Sequence, residues 1–145
     1  IGYKHKAQII DDYAHHPTEI EATFKTAKKI SNNIVVVFQP HRYTRTRDLF
    51  DDFARVLADT DVLLVTEVYG AGEVPIPGAD AKSLCRAIRT RAKVDPIFIQ
   101  SLESLSSVLS NVLHDGDVVL MLGAGDIGTL SSILIAEGID EVGRV

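Results

Sequence analysis

Five short apolar stretches, rich in β-branched residues, recur along the chain at residues 7–10, 34–38, 62–68, 97–99 and 118–122. They are nearly continuous runs rather than alternating apolar and polar positions. That is the pattern of parallel strands covered on both faces. Between them the apolar spacing changes to that of helices. Ile20, Phe24, Ala27 and Ile30 follow Pro17, and Leu49, Phe53, Val56 and Leu57 make a second helical face. Leu84 and Ile88 are the apolar pair of a third. Leu102, Leu105, Leu109, Val112 and Leu113 give a fourth, and Ile127, Leu130, Ile133 and Leu134 a fifth. Pro17 suits a first helical turn, Glu19 places a negative charge near that N-terminus, and Ser101 is the expected N-cap of the fourth helix. This strand–helix alternation with short links predicts a single α/β domain: a Rossmann-like open, mostly parallel sheet with helices on both faces and right-handed crossovers.

In such a sheet, ligands bind outside the carboxyl ends of the strands, where the chain leaves each strand for the next helix. The chemically conspicuous residues of this sequence fall in those segments. The first strand is followed by Asp11-Asp12-Tyr13-Ala14-His15-His16-Pro17, and the second by Gln39-Pro40-His41-Arg42-Tyr43-Thr44-Arg45. After the third come Tyr69-Gly70-Ala71-Gly72-Glu73 and Pro75-Ile76-Pro77-Gly78, and after the last Gly123-Ala124-Gly125-Asp126-Ile127-Gly128. The segments at the opposite edge, Ser31-Asn32-Asn33 and His114-Asp115-Gly116, read as plain turns.

Composition narrows the chemistry. Of 145 residues, 46% are apolar and 24% charged, as in ordinary globular domains. The longest apolar run, Ile34 to Phe38, is far below the roughly 20 residues of a membrane-spanning helix. Cys85 is the single cysteine, so no internal disulfide forms and a cytoplasmic location is expected. A net charge of −5 argues against nucleic acid as a partner. Against that acidic background, Arg42, Arg45 and Arg47 form a local cationic patch suited to a small anion. Arginine offers the fork that pairs with a carboxylate or phosphate.

Each motif also has a plainer reading. Asp11 and Asp12 could simply cap the next helix, and the arginines could be a solvated helix start. Cations there oppose the helix dipole unless an anion is present. His15 and His16 are adjacent and lack a spaced third ligand, so no metal site is expected. Residues 123–128 match G-x-G-x-x-G, yet they follow the last strand instead of the first, which disfavours a dinucleotide cofactor. Their glycines are expected to let the backbone approach a ligand or another domain closely.

Taken together and in this order, the motifs resemble the C-terminal domain of the Mur ligase family. Asp11-Asp12-Tyr13-Ala14-His15-His16-Pro17-Thr18-Glu19 resembles that domain's start. Phe38 to Arg47, Glu67-Val68-Tyr69, Ala71-Gly72-Glu73, Pro75 to Asp80 and Gly123 to Gly128 are similar to members joining L-alanine to UDP-N-acetylmuramate. Members that attach a ready-made tripeptide share the first motif and typically lack the His-Arg-Tyr-Thr-Arg segment. A free-standing nucleotide- or anion-binding module is the alternative from another class.

The resemblance implies a three-domain ATP-dependent ligase of peptidoglycan synthesis. Residues 1–145 would be its substrate- and ATP-closing domain, with the UDP-binding and central ATPase domains elsewhere. ATP and Mg2+ are the implied cofactors. The sequence contains no G-x-x-x-x-G-K-[ST] loop, and the family's metal ligands lie in the central domain, so this chain alone is expected to be inactive. By resemblance, Asp12 and Tyr13 would face the nucleotide, Asp12 through the ribose. His15, His41, Arg42 and Arg45 would receive the amino acid, with the arginines on its carboxylate, and Gly123, Ala124 and Gly125 would bring backbone close to substrate. The family's ATP-contacting arginine precedes strand one and has no counterpart from Ile1 onward.

Overall fold

The computed structural model describes residues 7–101 and 104–129. Five strands, β1 (Gln8–Asp12), β2 (Ile34–Phe38), β3 (Val62–Thr66), β4 (Ile97–Ile99) and β5 (Val118–Leu122), form one sheet ordered β1-β5-β2-β3-β4. All four pairings are parallel. The helices are α1 (Pro17–Lys28), α2 (Tyr43–Asp48), α3 (Phe50–Leu57), α4 (Ala81–Arg89) and α5 (Leu105–Val112), followed by a 3-10 turn at Asp126–Thr129. This is the Rossmann-like α/β domain anticipated from the patterning.

Alternate residues of each central strand feed two cores. Ile34, Val36 and Phe38 of β2, with Val118, Leu120 and Leu122 of β5, pack beneath α1, α3 and α4. Val35, Val37, Val119 and Met121 point the other way, toward Leu105 and Leu109 of α5. The connections from β1 through β4 move across the sheet in one direction and keep their helices on one face. The return from β4 to β5 places α5 on the opposite face, as a single crossover hand requires. Burial on both sides explains why the central strands are unbroken apolar runs.

Several boundaries differ from those read from patterning. β1 runs through Asp12, because Asp11 and Asp12 pair with Met121 and Leu122 of β5. These acids therefore end a strand instead of opening a loop, and His16 is the N-cap of α1. β3 stops at Thr66, leaving Glu67 and Val68 to start the connection. There the Glu67 carboxylate accepts from the backbone N–H groups of Val68 and Ala81. That connection, residues 67–80, is long. The second helical face is that of α3, and a separate short helix, α2, precedes it, with Leu49 at φ −114° and ψ 20° between the two.

At α5 the N-cap is Ser104, while the Ser101 carbonyl accepts from the Ser104 backbone and hydroxyl. Pro17 and Glu19 hold their expected places, Glu19 accepting from the backbone N–H of His15 and His16. The expected positions Leu102, Leu130, Ile133 and Leu134 lie outside the described residues. Among the described residues no helix is long and apolar enough to cross a membrane.

Candidate functional site

Because every pairing is parallel, the carboxyl ends of the strands lie along one edge, with Asp12, Leu122 and Phe38 in register across three of them. Two backbone hydrogen bonds extend the β2–β3 pairing past the strand ends. The Tyr69 N–H donates to the Pro40 carbonyl at 2.8 Å and the Arg42 N–H to the Tyr69 carbonyl at 2.8 Å. They bring His41 beside Tyr69, with ring centroids 5.6 Å apart and planes 13° from parallel. His15, from the β1–α1 segment, approaches His41 at 6.0 Å between centroids, and Tyr13 meets His15 edge-on at 5.7 Å. A chain of rings, Tyr13–His15–His41–Tyr69, thus joins three loops far apart in sequence.

Arg45 is anchored on this chain. Its Nη1 donates to His41 Nδ1 at 2.9 Å and to the His41 carbonyl at 3.1 Å. A guanidinium only donates, so His41 Nδ1 accepts and the ring's hydrogen sits on Nε2. Burial, then Arg45, Arg42 and His15, hold the His41 pKa below its ordinary value, with Glu73 opposing. The imidazole is kept neutral. His15 has the opposite tautomer, because its Nδ1 faces the Tyr13 carbonyl at 2.9 Å and must donate.

Arg42 sits at the N-cap of α2 with φ 74°, a left-handed conformation that costs a non-glycine residue about 1–3 kcal/mol. The conflict between arginines and the helix dipole is resolved from within the chain. Glu73, 29 residues further on, accepts from the Thr44 backbone at 3.0 Å and the Thr44 hydroxyl at 2.7 Å. It also stands 3.9 Å from Arg42 Nη1. The loop after Tyr69 therefore latches onto the start of α2. Sequence reasoning assigned Glu73 no role, and only a tertiary contact reveals it.

The Thr44 hydroxyl, then its N–H, hold the Glu73 carboxyl below its ordinary 4.5, with a contribution from Arg42. A depressed carboxylate pKa stabilises the fold fully above the unfolded-state value. That contribution disappears as pH falls through the folded-state value. Glu73→Gln is therefore expected to unfold at lower temperature than the parent at neutral pH, with the two converging in strong acid. Thermal melts across the acid limb would check this, and a constant gap between the curves would refute it.

The glycine segment approaches this chain's own residues closely. A Cβ on Gly125 would lie 2.6 Å from Gln39 Oε1 and from Tyr69 Cγ. Gln39, almost fully buried, donates through Nε2 to Asp126 at 2.6 Å and accepts from the Ile127 N–H at 3.2 Å. Gly123 has φ 153°, and its N–H reaches the Asp12 carbonyl at 3.3 Å. Gly123, Ala124 and Gly125 thus lie at the site edge, fastened to the His41–Tyr69 platform through Gln39.

Asp12 is already engaged. Its carboxylate accepts from the Ala14 N–H at 3.1 Å and the Thr23 hydroxyl at 2.8 Å, which fixes it at the rim of a hollow shared with Tyr13, His15 and Glu19. Tyr13 beside it is 70% exposed and offers an open ring face. Among the described residues no three His, Cys, Asp or Glu side chains converge as metal ligands. Cys85 of α4 is buried in the hydrophobic core, and desolvation raises its thiol to about 11, which makes it a poor nucleophile.

Fold and edge together define a Rossmann-like α/β domain, a parallel sheet carrying arginine, histidine and exposed tyrosine at the carboxyl ends of its strands. The chain belongs to the Mur ligase family: the family model "Mur ligase, glutamate ligase domain" matches residues 1–125. A UDP-N-acetylmuramate-alanine ligase from Thermotoga maritima superposes with a TM-score of 0.68 at 33% identity, covering 89% of this chain. The chain spans 26% of that ligase's length. Two further structures share the fold. One is a domain assigned to a UDP-N-acetylmuramate:L-alanyl-γ-D-glutamyl-diaminopimelate ligase of Haemophilus ducreyi, with TM-score 0.62, 22% identity, and coverage of 90% of this chain and 91% of that one. The other is a murein peptide ligase of Psychrobacter arcticus, with TM-score 0.67, 18% identity, and coverage of 94% and 28%.

Proposed function

We propose that this chain is the C-terminal closing domain of a cytoplasmic ATP-dependent ligase that joins L-alanine to UDP-N-acetylmuramate in peptidoglycan synthesis. The observation that carries the reading is the Arg45–His41–Tyr69 platform, with Arg42 beside it, on the ligand edge of the sheet. A guanidinium and a neutral Nε2–H on one platform offer donors to an amino-acid carboxylate. Holding that carboxylate aims the amine at an activated carboxyl, and such positioning is worth roughly 7–11 kcal/mol at best. The higher identity to the alanine ligase, 33% against 22% and 18% for the peptide ligases, supports L-alanine over a tripeptide.

ATP would phosphorylate the lactyl carboxyl and supply the leaving group. On this chain, Asp12 retains acceptor capacity for ribose hydroxyls, and the Tyr13 ring offers a face for the base. Mg2+ would be held by residues of the central domain. Gly123, Ala124 and Gly125 would line the entry of the amino acid. The coding region upstream of Ile1 tests the reading against a free-standing anion-binding module. An in-frame phosphate-binding loop, G-x-x-x-x-G-K-[ST], is expected there, and a start codon at Ile1 would overturn the assignment.

A further inference from the structure

The two histidines on the platform are held in opposite hydrogen-bonding senses. His41 is locked by Arg45 as the Nε2–H tautomer, and His15 is locked by the Tyr13 carbonyl as the Nδ1–H tautomer. At 6.0 Å between centroids, one ring therefore offers a donor and its neighbour a bare nitrogen lone pair. His15 Nε2 makes no hydrogen bond to any described residue. An α-amino acid carries the complement, a carboxylate that accepts and an ammonium that donates.

We propose that His15 is a catalytic residue, the base that takes the ammonium proton of the bound amino acid. This rests on the ligase reading above and deepens it. Nε2 of His15 accepts one ammonium proton, giving an imidazolium protonated on both nitrogens. The freed amine lone pair forms the C–N bond to the acyl-phosphate carbon, and the C–O bond to phosphate breaks with its electron pair leaving on phosphate. The second nitrogen proton departs with the phosphate as the amide forms, and the imidazolium returns its proton to water.

The surroundings suit that task. The Tyr13 carbonyl holds the Nδ1–H, as a carboxylate does in a catalytic triad. Glu19 Oε1 stands 3.8 Å from Nδ1 and stabilises the imidazolium. The His15 and His16 backbone N–H groups keep the Glu19 carboxyl ionised. His41 faces the ring from the β2 loop and, being neutral, adds no repulsion. The remaining neighbours are His16 at 5.1 Å between centroids, Tyr13, the Asp12 carboxylate across the shared hollow, and the cations Arg45 and Arg42 behind His41.

The test uses the full-length ligase with two variants and two nucleophiles. His15→Asn keeps a side-chain N–H for the Tyr13 carbonyl and removes the base. His15→Gln keeps a polar group near the Nε2 position without its basicity. With L-alanine, both are expected to lose about 10²–10⁴-fold in kcat, the range for general base catalysis. Their rates should then climb with pH as free amine accumulates, narrowing the gap to the parent. With hydroxylamine, already a neutral amine at neutral pH, both should stay within severalfold of the parent.

Unchanged alanine rates would overturn the assignment, as would equal losses with both nucleophiles, which mark a structural role. A parent enzyme that consumes hydroxylamine but not L-alanine would refute the substrate assignment, and this inference with it.

Discussion

Replacing Arg45 by alanine in the full-length ligase is expected to raise the L-alanine requirement by about 10- to 100-fold while leaving UDP-sugar binding unchanged. The magnitude follows from losing one hydrogen bond to a charged group, about 1.5–3 kcal/mol, at a tenfold change per 1.4 kcal/mol. Arg45 has two roles at this edge, and the substitution removes both. Under the proposed function its guanidinium is the fork for the carboxylate, and its Nη1 fixes the tautomer of His41. Without it, His41 loses the charge that, after burial, does most to hold its pKa down. The ring is then free to reverse its hydrogen-bonding sense. Arg45→Lys keeps the charge without the planar fork and is expected to recover only part of the affinity. Steady-state kinetics with varied L-alanine decide the matter. Parental alanine kinetics in Arg45→Ala would remove the amino-acid site from this edge.

Gly125→Ala should damage the same edge by a different route. The added methyl would overlap Gln39 Oε1 and the Tyr69 side chain at its base, both at 2.6 Å. Neither partner can yield cheaply. Gln39 is held at both ends by Asp126 and Ile127, and Tyr69 is fixed through its backbone to Pro40 and Arg42. Overpacking of this kind costs about 1–3 kcal/mol, and here it would be relieved by displacing the platform on which His41 rests. The expected result is a lower unfolding temperature together with weakened L-alanine use. A variant with parental stability and kinetics would show that the glycine's close approach is dispensable.

The sequence made the sheet legible because its central strands are buried on both faces and so leave unbroken apolar runs at Ile34–Phe38 and Val118–Leu122. β1 was shortened in that reading because Asp11 and Asp12 look like loop residues. They remain strand because β5 pairs with them to its last residue. The break at Leu49 was invisible because Leu49 opens the apolar spacing of α3 and nothing apolar marks the end of α2 before it. The loop residues His15, His41, Arg42 and Arg45 were identifiable from type and position, and the structure brings them to one edge. Their hydrogen-bonding states were not identifiable. Those depend on Arg45 reaching back four residues to His41 and on Glu73 reaching Thr44 across 29. The glycines of residues 123–125 were expected to permit close approach to a ligand or another domain. That the approaching group is Gln39 of the same chain is a tertiary fact with no local signal.

The central claim is that the edge formed by His15, His41, Arg42 and Arg45 receives a free amino acid for ligation to UDP-N-acetylmuramate. The most direct measurement is amino-acid-dependent ATP hydrolysis by the full-length protein, with UDP-N-acetylmuramate present and L-alanine compared against the tripeptide. Saturable stimulation by L-alanine and none by the tripeptide is the predicted result. Stimulation by the tripeptide alone, or by neither, would contradict it.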